Sequence, residues 1–78
     1  MKLITTKHDL STGSYSTFTA KLSNTVTKLS RSVYFDQDVE MEHCIVAEEL
    51  AHSMGYRLVN DIDPVPIEAG YVYLAVSK

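Results

Sequence analysis

Apolar residues recur in two rhythms along this chain. Between Thr5 and Ser32 they alternate with Ser, Thr and Lys at a spacing of two, the period of a strand with one covered face. From Val39 to Met54 they recur at spacings of three and four, the period of an amphipathic helix. Threonine suits a half-exposed pleat, so the Ser/Thr density reads as sheet surface and not as disorder.

The rhythm predicts a first strand from Lys2 to about His8, a turn at Ser11-Thr12-Gly13-Ser14 and a second strand from Tyr15 to Leu22. Ser23-Asn24 closes the next hairpin. A third strand runs from Thr25 to Phe35, with a bulge expected because Val26 and Leu29 fall on opposite faces. A helix then spans Asp38 to Met54. Asp36 or Asp38 can cap it by accepting from free backbone N–H groups, and Glu40 and Glu42 sit near its positive end. Gly55 ends it, because a C′ position favours a residue that tolerates positive φ. A fourth strand follows from Tyr56 to Ile62. Asp63-Pro64-Val65-Pro66 predicts an irregular connection, since neither proline can donate to a ladder. The fifth strand is Tyr71 to Val76. The order βββαββ predicts one α+β domain over residues 1–78, a mainly antiparallel sheet of about five strands covered by one helix.

Val39, Val46, Ala47, Leu50 and Met54 share a helix stripe and form the expected helical half of the core. Phe18, Ala20, Leu22, Val33, Phe35, Leu58, Ile62, Val72, Leu74 and Val76 are the strand residues expected to meet it. That assignment leaves two outer surfaces. On the helix, Met41, Ile45, Glu48 and His52 lie in adjacent rows. Met41 and Ile45 are apolar where a lone helix on a sheet calls for polar residues. Glu42, Glu48 and Glu49 are expected to ring them, as acids would at an interface with a basic partner. On the sheet, Tyr15, Tyr34, Tyr71 and Tyr73 are expected outward beside Thr17, Thr19, Lys21 and Lys28. Tyrosine combines apolar area with a polar tip and is enriched at interfaces.

Composition adds limits. A chain of 78 residues buries only about 60–65% of its unfolded surface, so its stability is thin and a homodimer is one route to more. Cys44 is the only cysteine. No intrachain disulfide can form, which fits a reducing compartment. The start of the chain lacks the apolar stretch of a secretory signal, and the longest apolar run, Tyr71 to Val76, is too short for a membrane helix. The expected location is the cytoplasm, that of a host cell if a phage encodes the chain. Net charge is −3, and it is unevenly placed. Asp9 is the only acid before Asp36, against Lys2, Lys7, Lys21, Lys28 and Arg31. From Asp36 onward only Arg57 and Lys78 oppose the remaining acids. Such a split gives the helix half an acidic surface suited to a basic partner.

Reactive motifs do not emerge. His43 and His52 are nine residues apart, not the four of a zinc-protease helix, and Glu48 with His52 makes at most one weak pair. Neighbouring His43 and Cys44 diverge by about 100° on a helix, so they cannot act as base and nucleophile. His43 projects toward the core stripe as a core-edge residue. Gly13, Gly55 and Gly70 are isolated, so no phosphate-cradling loop is encoded. The sequence therefore predicts a protein that is not an enzyme and holds no metal or cofactor.

In size, charge and layout the chain resembles the small acidic inhibitor proteins that phages encode, including anti-CRISPR proteins. The shared features are a short cofactor-free chain, an antiparallel sheet and one acidic helix carrying Asp36, Asp38, Glu40, Glu42, Glu48 and Glu49. The resemblance implies a host defence complex as the partner, with the acids occupying a lysine- and arginine-lined nucleic-acid channel. Two other readings stand beside it. Tyr15, Tyr34, Tyr71 and Tyr73 with Lys21 and Lys28 would stack and neutralise a single-stranded nucleic acid, although the net negative charge opposes this. A dimeric phage regulatory or structural protein would place Met41 and Ile45 in its seam.

Overall fold

The computed structural model describes residues 2–10, 15–34 and 38–78, without the side chains of Leu10 and Tyr34. The turn expected at 11–14, the Asp36 cap and the core role of Phe35 lie outside these residues. The elements in chain order are β1 (Lys2–Leu10), β2 (Tyr15–Leu22), β3 (Lys28–Tyr34), α1 (Val39–Ser53), β4 (Tyr56–Leu58), β5 (Val65–Pro66) and β6 (Tyr71–Ser77). They form an α+β fold: one helix lies on an antiparallel sheet of spatial order β3-β2-β1-β6-β4, with the two-residue β5 added against β6.

Alternation explains the first three strands. Ile4 and Thr6 of β1 are fully buried, as are Phe18 and Ala20 of β2, while the residues between them face away from the helix. Registers β1–β2 and β2–β3 run without interruption. The expected bulge is absent because Val26 belongs to the turn, not to β3; its side chain is 92% exposed. Asn24 takes a φ of 61° in that turn, a left-handed conformation asparagine tolerates, and the Thr25 hydroxyl donates to the Leu22 carbonyl at 2.8 Å.

The helix begins as its sequence dictates. Asp38 is the N-cap, and its Oδ1 accepts from the Met41 N–H at 3.2 Å. Gly55 follows the C-cap Met54 at φ 81°. The buried stripe is His43, Val46, Ala47, Leu50 and Ala51. Val39 and Met54, expected in the core, are 43% and 41% exposed. Both sit in the end turns, where a helix crossing a sheet is least covered.

The second half of the chain departs further from the alternating pattern. β4 stops at Leu58, so Ile62 lies in a connection and is 54% exposed. The stretch 63–66 is not wholly irregular, because Val65 and Pro66 pair with Val72 and Tyr71. The largest correction is the phase of β6. Tyr73 and Ala75 are buried under the helix, and Val72, Leu74 and Val76 are on the other face, half-buried. Pairing decides this: Tyr73 lies opposite Ile4 and Leu74 opposite Leu3. Ala20, Ala47, Ala51 and Ala75 all belong to the one core cluster, whose small side chains let helix and sheet approach closely.

Candidate functional site

Two surfaces and one buried cluster gather the polar chemistry of this fold. The buried cluster lies where β1, β6 and the first half of α1 meet. The Thr6 hydroxyl is 2.8 Å from His43 Nδ1 and also accepts the Tyr71 N–H at 3.1 Å. His43 packs edge-on against Phe18 and Tyr71, and His8 stacks on Phe18 with ring centroids 4.3 Å apart. Gly70 is required here: a Cβ would strike the Thr6 carbonyl and come within 2.8 Å of His43 Cε1. Burial, and then the nearby charge of His8, lowers the His43 pKa. Thr6 is 0% exposed, so its hydroxyl cannot attack a substrate. The cluster joins β1, β2 and β6 to α1, and within it His8 Nε2 is buried without a hydrogen-bond partner among the described residues.

The outer helix face does present Met41, 58% exposed, with Ile45 half-buried and Glu48 and His52 exposed. His52 Nδ1 lies 3.0 Å from Lys78 Nζ. Glu42 and Glu49 do not ring this patch. Glu42 is 4% exposed and accepts from Arg31 Nε at 3.0 Å, and Glu49 accepts from Arg31 Nη1 at 3.2 Å. Both lean from the helix flank toward the edge strand β3, where the register turns Arg31 inward beside Phe18. Of the remaining helix acids, Glu48 lies one turn from Ile45, whereas Glu40 lies off the patch toward Tyr73; neither has a basic partner among the described residues. Cys44 lies between them, half-buried; burial, then the Glu48 carboxylate, raises its pKa.

The open face of the sheet differs from the expected tyrosine platform. Tyr71 contacts His43, and Tyr73 is 6% exposed on the helix side, its phenol pKa pushed far up by desolvation. Tyr15 is 45% exposed at one end of the open face. Tyr34 pairs with it in the backbone, and its side chain lies outside the described residues. Two of the four expected tyrosines are therefore not available for stacking there. The open face instead divides in two. Its β6 side carries Leu3, Val65, Val72, Leu74 and Val76. Its β2–β3 side carries the hydroxyl pairs Thr17–Ser32 at 3.2 Å and Thr19–Ser30 at 3.0 Å. Thr5, Lys7, Thr19, Lys21 and Lys28 line a hollow of about 210 Å3 on this face.

Thr5 and Lys7 are the members of that hollow that the sequence did not single out. Their signal was the alternation Leu3-Thr5-Lys7 opposite Ile4-Thr6 in β1. Arg31, which consumes two helix acids, had no local signal, since its partners are 11 and 18 residues away.

Among the described residues no three of His, Cys, Asp and Glu gather to hold a metal ion, and no helix is long and apolar enough to cross a membrane. No family model, curated protein or solved structure matches the chain.

Proposed function

We propose that this protein is a non-enzymatic binding protein that lays the outer face of α1 on a basic surface of a larger protein assembly. The observation that carries this reading is Met41, 58% exposed beside Ile45, with Glu48, unpaired among the described residues, one turn on from Ile45. An apolar centre with acid at its edge suits a partner whose surface is apolar and lysine- or arginine-rich. Several polar groups that the fold brings together are spent on one another, Thr6 on His43 and Arg31 on Glu42 and Glu49, although His8 Nε2 beside that cluster is buried without a hydrogen-bond partner among the described residues. These internal pairings support contact over reaction chemistry as the reading. The resemblance to phage inhibitors supplies the partner: a nucleic-acid-binding channel in a host defence complex.

The test is phage plating on bacteria that carry an active RNA-guided defence and express the protein. Expression is expected to restore plating, and Met41→Lys/Glu48→Lys to abolish that rescue with an unchanged melting curve. Rescue by the double variant at the parent level rejects the helix face. No rescue by the parent rejects the anti-defence role.

A further inference from the structure

The lysine hollow lies on the sheet face away from α1 and does not rest on the preceding reading. Three adjacent strands supply it: Thr5 and Lys7 from β1, Thr19 and Lys21 from β2, Lys28 from β3. Lys21 faces Lys28 directly across the β2–β3 pair, and Thr5 faces Lys21 across β1–β2. Like charges directly opposite one another destabilise a sheet. Nothing among the described residues offsets this pair, because neither Lys21 nor Lys28 has an acid or hydrogen-bond partner. Lys7 alone is compensated, with its ammonium 3.4 Å from Asp9 Oδ2.

We propose that this hollow is a binding site for the phosphate group of a small phosphomonoester. Charge sets the class. Two uncompensated ammonium groups match the roughly −1.5 to −2 charge of a phosphomonoester near neutral pH. Shape agrees. Lysine is a point charge whose donors rotate to meet a tetrahedral oxyanion, whereas planar carboxylates are best met by the arginine fork, which the hollow lacks. The Thr5 and Thr19 hydroxyls add donors of either orientation. Size narrows the ligand further. The hollow holds about 210 Å3, below the roughly 300–1,000 Å3 of sites that enclose a drug-sized molecule. It takes the charged end of its ligand and leaves the rest outside, toward Leu3 and Val72, the open-face neighbours on β1 and β6. A stacked nucleic-acid strand fits less well, because Tyr71 and Tyr73 are turned to the other side.

The experiment titrates the full chain with inorganic phosphate and with a nucleoside 5′-monophosphate, read by amide chemical shifts and by melting temperature. Saturable shifts are expected around residues 5, 7, 19, 21 and 28, with a rise in Tm as ligand saturates. Lys28→Thr is the paired variant. It removes the repulsion, so its ligand-free Tm rises above that of the parent. It also weakens phosphate binding by roughly tenfold and shifts the ligand-dependent Tm rise to about tenfold higher ligand. Equal affinity for the two ligands identifies free phosphate as the source, and tighter binding of the nucleotide identifies the ester. Absence of saturable binding by both overturns the proposal, as does binding that survives Lys21→Thr/Lys28→Thr. Tighter binding of a poly-glutamate peptide, or affinity that grows with oligonucleotide length, makes the face a protein or strand-tracking surface and also overturns it.

Discussion

The two faces of the same sheet obey different rules. On the helix side, Ile4, Phe18, Ala20, Tyr73 and Ala75 are 6% exposed or less. On the open side, Leu3, Val72, Leu74 and Val76 are as apolar by type, yet Leu3 is 46% exposed and the other three are only half-buried. Hydrophobic character alone therefore does not place a residue in this core. What separates the faces is the helix, which removes one side of the pleat from water and leaves the other to hydroxyls, lysines and aliphatics.

That contrast can be broken most sharply at the centre of the helix. Leu50→Asp puts an unpaired carboxylate where Leu50 is 1% exposed. The expected cost is about 5 kcal/mol or more, comparable with the whole stability of a domain this size. The variant should show no cooperative melt by circular dichroism, and a transition near the parent's would reject the helix orientation.

Neighbours on β6 give the next effect. Tyr73→Ala is expected to cost about 3 kcal/mol, and Leu74→Ala on the open face about 1 kcal/mol. Urea titration of both variants measures the difference. The reverse ranking would restore the strand phase read from sequence.

A smaller contrast concerns the flank where β3 meets α1. Arg31→Ala leaves Glu42 buried without its cation and should cost about 2 kcal/mol; the half-exposed Arg31 moderates the penalty of a fully buried pair. Glu49→Ala removes only the exposed arm of the same fork and should cost less than about 1 kcal/mol. Equal costs for the two would show that burial of Glu42 carries no weight.

The smallest effect is in pH. His43 is neutral-favouring when folded, because burial and His8 lower its pKa beneath the unfolded value. The unfolded chain then binds more protons below about pH 6.5. Stability is fully present above that pH and falls as pH drops toward the depressed folded value. Tm measured from neutral to mildly acid pH should show this decline, and His43→Phe should flatten it. A profile with the same slope in the variant would assign the decline to another group.

The sequence revealed more of the first half of the chain than of the second. Thr17, Phe18, Thr19, Ala20, Lys21 and Leu22 differ in polarity at every step, so a period of two has one solution there. Tyr71 to Val76 is apolar at every position and has two. The surfaces divided in the same way. Met41, Ile45, Glu48 and His52 were legible because helical spacing alone puts them opposite Val46 and Leu50. Glu42 and Glu49 were misplaced because Arg31 reaches them from β3, and no local rhythm encodes such a contact. Lys7, Lys21 and Lys28 come from three strands, and only their pairing gathers them.

The sequence by itself determined the helix, the first three strands and β6, an aspartate cap at 36 or 38, the Gly55 stop and the inner stripe around Leu50. Those features depend on interactions within a turn or two of chain, where backbone geometry and side-chain period act directly. Tertiary structure alone decided the phase of β6, the burial of Glu42 and the gathering of the lysine hollow. Each of these depends on which strand lies beside which, a choice made by the packing of the whole sheet against one helix.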